Sequence, residues 1–278
     1  MSAHLLHTLH YLITNPAWTL ARVHTRLRPP LWWRSLLGLL LPPWIGTSRF
    51  RSVYVVTYGR SGSTLLTGYL SHLPGFDIKG ENYLFPLPLA DAQRLLAEAQ
   101  GLHYSGRELP ASPWYGSQLF STVQWKRDMR RALLNQLYPR HRIPKTIGFK
   151  EIRWWYRTTD ADFEEKLSWL LNVRAPGAVI FLTRDLDKTM AGAWWAKESE
   201  EQRAESRAGL EAFERRALAY AAAHPEHSVH VTYEDFCADS NAAQRVCRLL
   251  GVPFREDVYK QTMGERYSYP SQSVSSDE

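Results

Sequence analysis

Val53-Tyr-Val-Val-Thr-Tyr-Gly-Arg-Ser-Gly-Ser-Thr-Leu-Leu66 decides how the rest of this 278-residue chain is read. Its first five residues form an apolar run too short for a helix, and from Ser63 onward the apolar residues recur at helical spacing. Between them lie Gly59 and Gly62, small residues that let backbone N–H groups converge, while the following helix presents the positive end of its dipole. Such a loop binds phosphate or sulfate. A Gly/Ser-rich turn alone is often only a turn, but a strand before it and a helix after it point to an anion site. A triphosphate–magnesium site needs G-x-x-x-x-G-K-[ST]. Here Ser63 stands where that Lys belongs, and the basic residue is Arg60, three positions earlier. The loop suits a ligand with a single 5′-phosphate position.

Outward from this loop, three more short runs rich in Val, Ile and Phe read as buried strands, at 146–149, 178–182 and 228–232, beside the first at 53–57. Helical segments alternate with them at 63–72, 90–100, 122–137, 162–173, 187–197, 200–223 and 240–250. That rhythm predicts an α/β fold of P-loop-like form, three layers with a central, mostly parallel sheet. The charged, Ala-rich segment 200–223 is expected on the surface. Gly251-Val252-Pro253 ends the last helix. In Val179-Ile-Phe-Leu-Thr-Arg-Asp-Leu-Asp-Lys-Thr-Met-Ala-Gly192, Arg184 falls at the C-terminal end of a strand, the edge where open α/β sheets bind ligands. Asp187 is positioned to cap the helix that follows. The alternative for Arg184 is a structural pair with Asp185. Residues 104–115 read as a loop. No internal repeat and no linker between two domains is evident.

The net charge of +6 is unevenly placed: residues 1–76 hold seven Arg and no acid, the first being Asp77. A basic surface attracts phosphates of nucleic acid, lipid headgroups or small ligands. Two cysteines, Cys237 and Cys247, make no disulfide framework, and no CxxC or Cys/His cluster suggests zinc. A reducing compartment is the expectation. The most apolar stretch, 31–45, is broken by Arg34 and Pro42-Pro43 and falls short of the ~20 residues a membrane span needs. The first 21 residues carry no Lys or Arg, and no small-residue cleavage site follows an apolar core, which argues against a secretory signal. The domain expectation is a basic, apolar, helical segment at 1–50, one main domain at 51–269, and a disordered tail at 270–278. Residues 1–45 mix Leu, Trp, His and Arg as an interfacial helix does, so peripheral contact with the inner face of the membrane, in a cytoplasmic protein, is one reading; packing against the main domain is the other.

The motifs TYGRSGSTLL, FLTRDLDKTMAG and VTYEDFCADSNAAQRVCRLLGVPF, spanning residues 52–255 in order, together resemble the sulfotransferases that use 3′-phosphoadenosine 5′-phosphosulfate (PAPS). The Arg-Ser-Gly-Ser form is similar to that of the carbohydrate and bacterial trehalose-type enzymes. The resemblance implies PAPS as co-substrate, without a metal. It implies a 5′-phosphosulfate loop of Arg60, Ser61, Gly62, Ser63 and Thr64, a 3′-phosphate contact at Arg184, and Tyr233 near the adenine. One position departs from the family: Gly192 stands where a Ser is usual, so the phosphate would be held by the backbone there, or by Lys188, Ser199 or Arg266.

Sulfuryl transfer relies on positioning and on stabilising charge. Arg60 is placed to meet the charge growing on the leaving phosphate, and Lys150 at another strand end is a second cation for the transferring group. The acceptor hydroxyl needs a base. Glu81 leads, because a helix and a short return strand after Thr64 would bring it back beside the loop; Glu151 is the alternative, and a surface salt bridge is the other reading of both. The Trp pairs 32–33, 154–155 and 194–195 suit a sugar-binding wall or a core, and 154–155 is the better acceptor candidate because it follows Lys150. The favoured function is transfer of a sulfuryl group to a hydroxyl of a glycan, glycolipid or other small acceptor. A P-loop small-molecule kinase and a non-catalytic basic membrane-binding module are the alternatives. No nucleic-acid-binding motif is evident.

Overall fold

Alternation along β1 (Ser52–Val56) turns Val53 and Val55 to one face of a sheet and Tyr54 and Val56 to the other, and both faces are buried. A strand covered on both sides belongs in the middle of a three-layer structure. The computed structural model shows it there, and describes residues 48–101, 113, 115–138, 145–192 and 194–265. With β2 (Phe76–Lys79), β3 (Thr146–Glu151), β4 (Gly177–Thr183) and β5 (Ser228–Thr232), it forms a parallel sheet in the order β2-β3-β1-β4-β5. The expected α/β sandwich with its central parallel sheet is the observed fold.

The helices among the described residues are α1 (Ser63–His72), α2 (Leu87–Gly101), α3 (Thr122–Leu137), α4 (Trp154–Arg157), α5 (Phe163–Val173), α6 (Leu186–Met190), α7 (Glu200–Ala223), α8 (Tyr233–Ala238), α9 (Asn241–Leu250) and α10 (Glu256–Gly264). Leu66 and Leu70 of α1, Val246 and Leu250 of α9, and Val258 of α10 pack on the Val53 face. Leu167 and Leu170 of α5 and Phe213 and Ala217 of α7 pack on the Tyr54 face. Each such fully buried large side chain contributes about 1.5–3 kcal/mol. Helix α7 does lie on the surface, yet Ser206, Leu210, Phe213, Ala217 and Tyr220 make a buried stripe at steps of three and four. A capping box fixes its start: Ser199 Oγ accepts from Gln202 N at 3.2 Å, and Gln202 Oε1 accepts from Ser199 N at 3.1 Å.

Several local expectations need correction. Segment 187–197 is not one helix, because α6 ends at Met190 and a separate turn of 3₁₀ helix occupies Trp195–Lys197. Its cap is Asp185, whose side chain accepts from Lys188 N at 2.9 Å; Asp187 sits in the first turn and pairs with Arg207 at 2.6 Å. Helices α4 and α8, of four and six residues, are too short to show a period in sequence. Gly251, left-handed at φ 68°, ends α9 as expected. Ser48 Oγ and Arg49 N both donate to Leu250 O, so the main unit begins at Ser48. The readings for residues 1–47, for Trp32-Trp33, for nearly all of loop 104–115, for Arg266 and for the tail 270–278 fall outside the described residues.

Candidate active site

All five strands are parallel, so their C-terminal ends share one edge, and each delivers part of the site there. After β1 the loop turns left-handed twice, at Arg60 (φ 67°) and at Gly62 (φ 81°). Gly62 is the N-cap of α1 and offers no side chain to that helix, whose first turn holds no acid. Leu65 N donates to Gly62 O at 3.0 Å, so the Ser63 and Thr64 N–H groups are the ones at this helix start open to an external anion. Thr57 stitches the loop down: its Oγ1 donates to Leu182 O at 2.6 Å and lies 2.7 Å from Ser61 Oγ. Ser61 and Ser63 are buried, whereas Arg60 and Thr64 face solvent.

Arg184, just past β4, is bound to this loop. Its Nη1 donates to Arg60 O at 3.1 Å, and its guanidinium lies 4.5 Å from the centre of the Tyr233 ring. Tyr233, first residue of α8 after β5, in turn covers Gly62: a Cβ at position 62 would come within 2.1 Å of the ring. Below them, Tyr58 Oη accepts from Arg184 N at 2.7 Å and lies 2.7 Å from Glu214 Oε1. Burial, and then the hydrogen bond to Glu214, push the Tyr58 phenol far above its ordinary range. Burial likewise raises the Glu214 carboxyl. Arg184 Nε is buried without a hydrogen-bond partner. A buried guanidinium N–H without an acceptor beside a helix N-terminus is chemistry suited to an anion.

Beside the loop opens a cavity of about 970 Å³. Gly59 and Thr64 border it on the loop side, and Glu81 and Lys150 line it together. Lys150 Nζ donates to Glu81 Oε1 at 2.5 Å, and Arg153 Nη1 donates to Glu81 Oε2 at 3.1 Å. Trp155, Tyr156, Trp194 and Trp195 form an aromatic wall. Trp194 is 49% exposed and rests on Gly59, where a Cβ would come within 2.3 Å of the indole. That contact explains glycine at 59: any side chain would evict the indole.

A model of the sulfotransferase family matches residues 52–256. The chain belongs to the sulfotransferase family. It is a PAPS-dependent transferase. Among solved structures, the sulfotransferase domain from the Synechococcus PCC 7002 olefin synthase is 18% identical, covering 81% of this chain and 82% of its own, with a TM-score of 0.50. The sulfotransferase domain from the curacin biosynthetic pathway is 16% identical, covering 77% and 78%, with a TM-score of 0.46. Retinol dehydratase, in complex with androsterone and the inactive cofactor PAP, is 16% identical, covering 77% and 63%, with a TM-score of 0.37. At such identities the likeness is one of fold. No curated protein matches the chain.

Within this sulfotransferase the expected residues divide clearly. Arg60, Ser61, Gly62, Ser63, Thr64, Arg184 and Tyr233 meet at one cradle, and Glu81 and Lys150 meet at the adjoining cavity. Glu151 does not join them. It is fully buried, accepts from Asn82 N, Leu84 N and Ile152 N at 3.0, 3.0 and 2.8 Å, and pairs with Arg153 at 2.7 Å. Four donors leave it no lone pair for a substrate proton; it holds the 82–84 turn, where Tyr83 and Leu84 have positive φ. The cations facing Glu81 are Lys150 and Arg153. Arg184 makes no pair with Asp185. Gly192 has open space where a side chain would start, Lys188 is exposed, and Ser199 is used as the α7 cap. The Trp pairs split: Trp154 is core, while Trp155, Trp194 and Trp195 line the cavity. Sequence reasoning missed Tyr58, Glu214 and Arg153. Tyr58 lies within the quoted loop, but its partner on α7 is 156 residues away, and nothing local announces it.

Proposed function

We propose that this enzyme sulfates a hydroxyl of a glycan or glycolipid held against the aromatic wall, with Glu81 as general base. The observation that carries the reading is the Glu81–Lys150 pair, which lines the same cavity as Gly59 and Thr64 of the anion loop. PAPS supplies the sulfuryl group, and its 5′-phosphate takes up charge as that group leaves. Arg60 through Thr64 would hold the 5′-phosphosulfate, and Arg184 the 3′-phosphate through Nε, which has no acceptor in the protein. Arg60 and the first-turn amides of α1 meet the charge that develops in transfer. Glu81 takes the hydroxyl proton late, as sulfur–oxygen bond formation acidifies it. Lys150, buried and hydrogen-bonded to Glu81, orients that carboxylate and adds positive charge beside the transferring group. Trp155, Tyr156 and Trp194 offer flat faces for sugar rings, with Thr67, Ser71 and Glu198 as polar partners around them.

The acceptor reading includes a place of work: residues 1–45 bring the enzyme to the cytoplasmic face of a membrane where a lipid-linked acceptor lies. Among the described residues no helix is long and apolar enough to cross a membrane. Calorimetry with 3′-phosphoadenosine 5′-phosphate (PAP) against ATP–magnesium, followed by transfer from labelled donor to a panel of glycans and lipid extracts, tests the proposal. Binding of PAP and label in sugar-containing products support it. Binding of ATP–magnesium alone would sink the donor half, and label only in sugar-free alcohols would sink the acceptor half.

A further inference from the structure

At the opposite edge of the sheet, the chain leaves α7 and enters β5 through His224-Pro225-Glu226-His227. The turn is tight: His224 O accepts from His227 N at 3.3 Å and from Ser228 N at 3.0 Å. Tightness brings both imidazoles to one side, with ring centres 5.2 Å apart and planes inclined by 30°. Their Nδ1 atoms face the same carboxylate oxygen, Glu226 Oε1, at 3.8 Å from His224 and 2.7 Å from His227. Their outer nitrogens are engaged elsewhere. His224 Nε2 meets Glu164 Oε1 of α5 at 3.3 Å, and His227 Nε2 meets Tyr220 Oη of α7 at 3.0 Å.

We propose that His224, Glu226 and His227 bind one divalent cation of the zinc, cobalt or nickel class, a structural staple between α7 and β5 that is separate from the sulfuryl-transfer site. Two imidazoles and a carboxylate are a donor set for such ions, and they close a tetrahedron with one water at the solvent-facing position. A tetrahedral ion bound at about 2.0–2.1 Å holds its ligand atoms about 3.3 Å apart. The distances of 2.7 and 3.8 Å straddle that value, and the widest separation, 4.8 Å, closes by about 1.5 Å when a cation draws the ligands in. All three candidate ligand atoms lie within 4.8 Å of one another. The Glu164 contact is one that metal-bound histidines make, a carboxylate on the far nitrogen that aims the near one. His227 Nδ1 lies at hydrogen-bond distance from Glu226 Oε1, so on cation binding its proton moves to Nε2, which then donates to Tyr220 Oη. With its proton directed at Glu164, His224 presents Nδ1 as a lone pair toward Glu226, too far for a hydrogen bond and at metal-sharing distance.

The site stands at the start of β5, and Tyr233 follows the end of that strand five residues later, about 16 Å away at about 3.3 Å per residue. The cation is thus far from the donor cradle and stabilises the fold without entering the reaction.

The test uses the tag-free full chain. Cobalt is titrated while d–d absorption is read, zinc binding is measured by calorimetry, and thermal unfolding is followed with and without zinc. The same measurements are made on His224→Ala/His227→Ala, because the chain has ten histidines and only the difference reports this site. The expected result is one equivalent of tetrahedral cobalt and a zinc-dependent rise in melting temperature, both lost in the double variant, with PAP affinity the same in both proteins. Glu164→Gln, which loosens only the outer contact, should weaken zinc binding ~10–100-fold. Equal cobalt spectra and zinc stoichiometry in parent and variant overturn the proposal. If the double variant does not fold, Glu226→Gln decides: parent-like zinc affinity overturns it, and loss of the tight equivalent supports it.

Discussion

Glu81 and Glu151 are both acids at strand ends, and burial gives them opposite work. Glu81 shares a cavity with Lys150 and the anion loop, whereas Glu151 is closed in by three backbone N–H groups and Arg153. Glu81→Gln should lower turnover ~10²–10⁴-fold while PAP affinity and melting temperature stay near those of the parent. Glu151→Gln should instead cost about 3–5 kcal/mol of stability in urea unfolding, because it leaves Arg153 and a buried turn without their anion. Collapse of turnover in a stable Glu151→Gln protein would reverse this assignment. The two arginines also part company. Arg184 is proposed to hold the 3′-phosphate, which does not react, so Arg184→Ala should weaken PAP binding ~10–100-fold, as the loss of a charged hydrogen bond of about 1.5–3 kcal/mol implies. Arg60 is proposed to meet the charge that grows during transfer, so Arg60→Ala should act chiefly on turnover. Direct PAP calorimetry beside single-turnover rates separates the two; unchanged PAP binding in Arg184→Ala would remove it from the donor site.

At the level of elements, the β4–β5 pair holds the proposed donor cradle in place, since Arg184 follows one strand and Tyr233 the other. Thr183 at the end of β4 contacts His230 Nε2 of β5 at 2.9 Å. Burial, and then the neighbouring Arg245, lower the His230 pKa from its ordinary value. The fold therefore favours neutral His230. The unfolded chain takes up that proton first as pH falls through about 6.5, so the contribution is complete above this value and is lost on the way down to the folded pKa. Urea unfolding between about pH 7.5 and about pH 5.5 should show stability falling more steeply in the parent than in His230→Gln, whose amide cannot titrate there. Identical slopes would show that His230 is not held neutral.

Taken as a whole, the molecule places its chemistry on one edge of a five-stranded sheet and begins its packed unit at Ser48, which hydrogen-bonds to the end of α9. Donor binding is proposed for that unit. Surface attraction is proposed for the acid-free stretch before it. A chain starting at Ser48 should keep PAP affinity within about twofold of the parent, and lose binding to anionic vesicles, which co-sedimentation measures. Vesicle binding that survives the truncation would move the membrane contact onto the sulfotransferase domain.

The sequence by itself determined the parallel α/β architecture and the anion loop, because both are written in short-range pattern: apolar runs too short for helices, glycines at fixed offsets, a helix beginning at Ser63. It also carried Arg184 and Tyr233 to the right edge, since a strand end is a local event and parallel strands end together. What only the tertiary structure decided was which neighbours complete each group. Adjacent in sequence, Lys150 and Glu151 differ in fate because alternation along β3 sends one side chain to the cavity and the other into the 82–84 turn. Tyr58 meets Glu214, Trp194 covers Gly59 and Glu164 reaches His224 across separations of 60 to 156 residues, which no local spacing encodes. Such contacts come from helices laid across the sheet, and packing between elements, rather than propensity within them, sets where those helices lie.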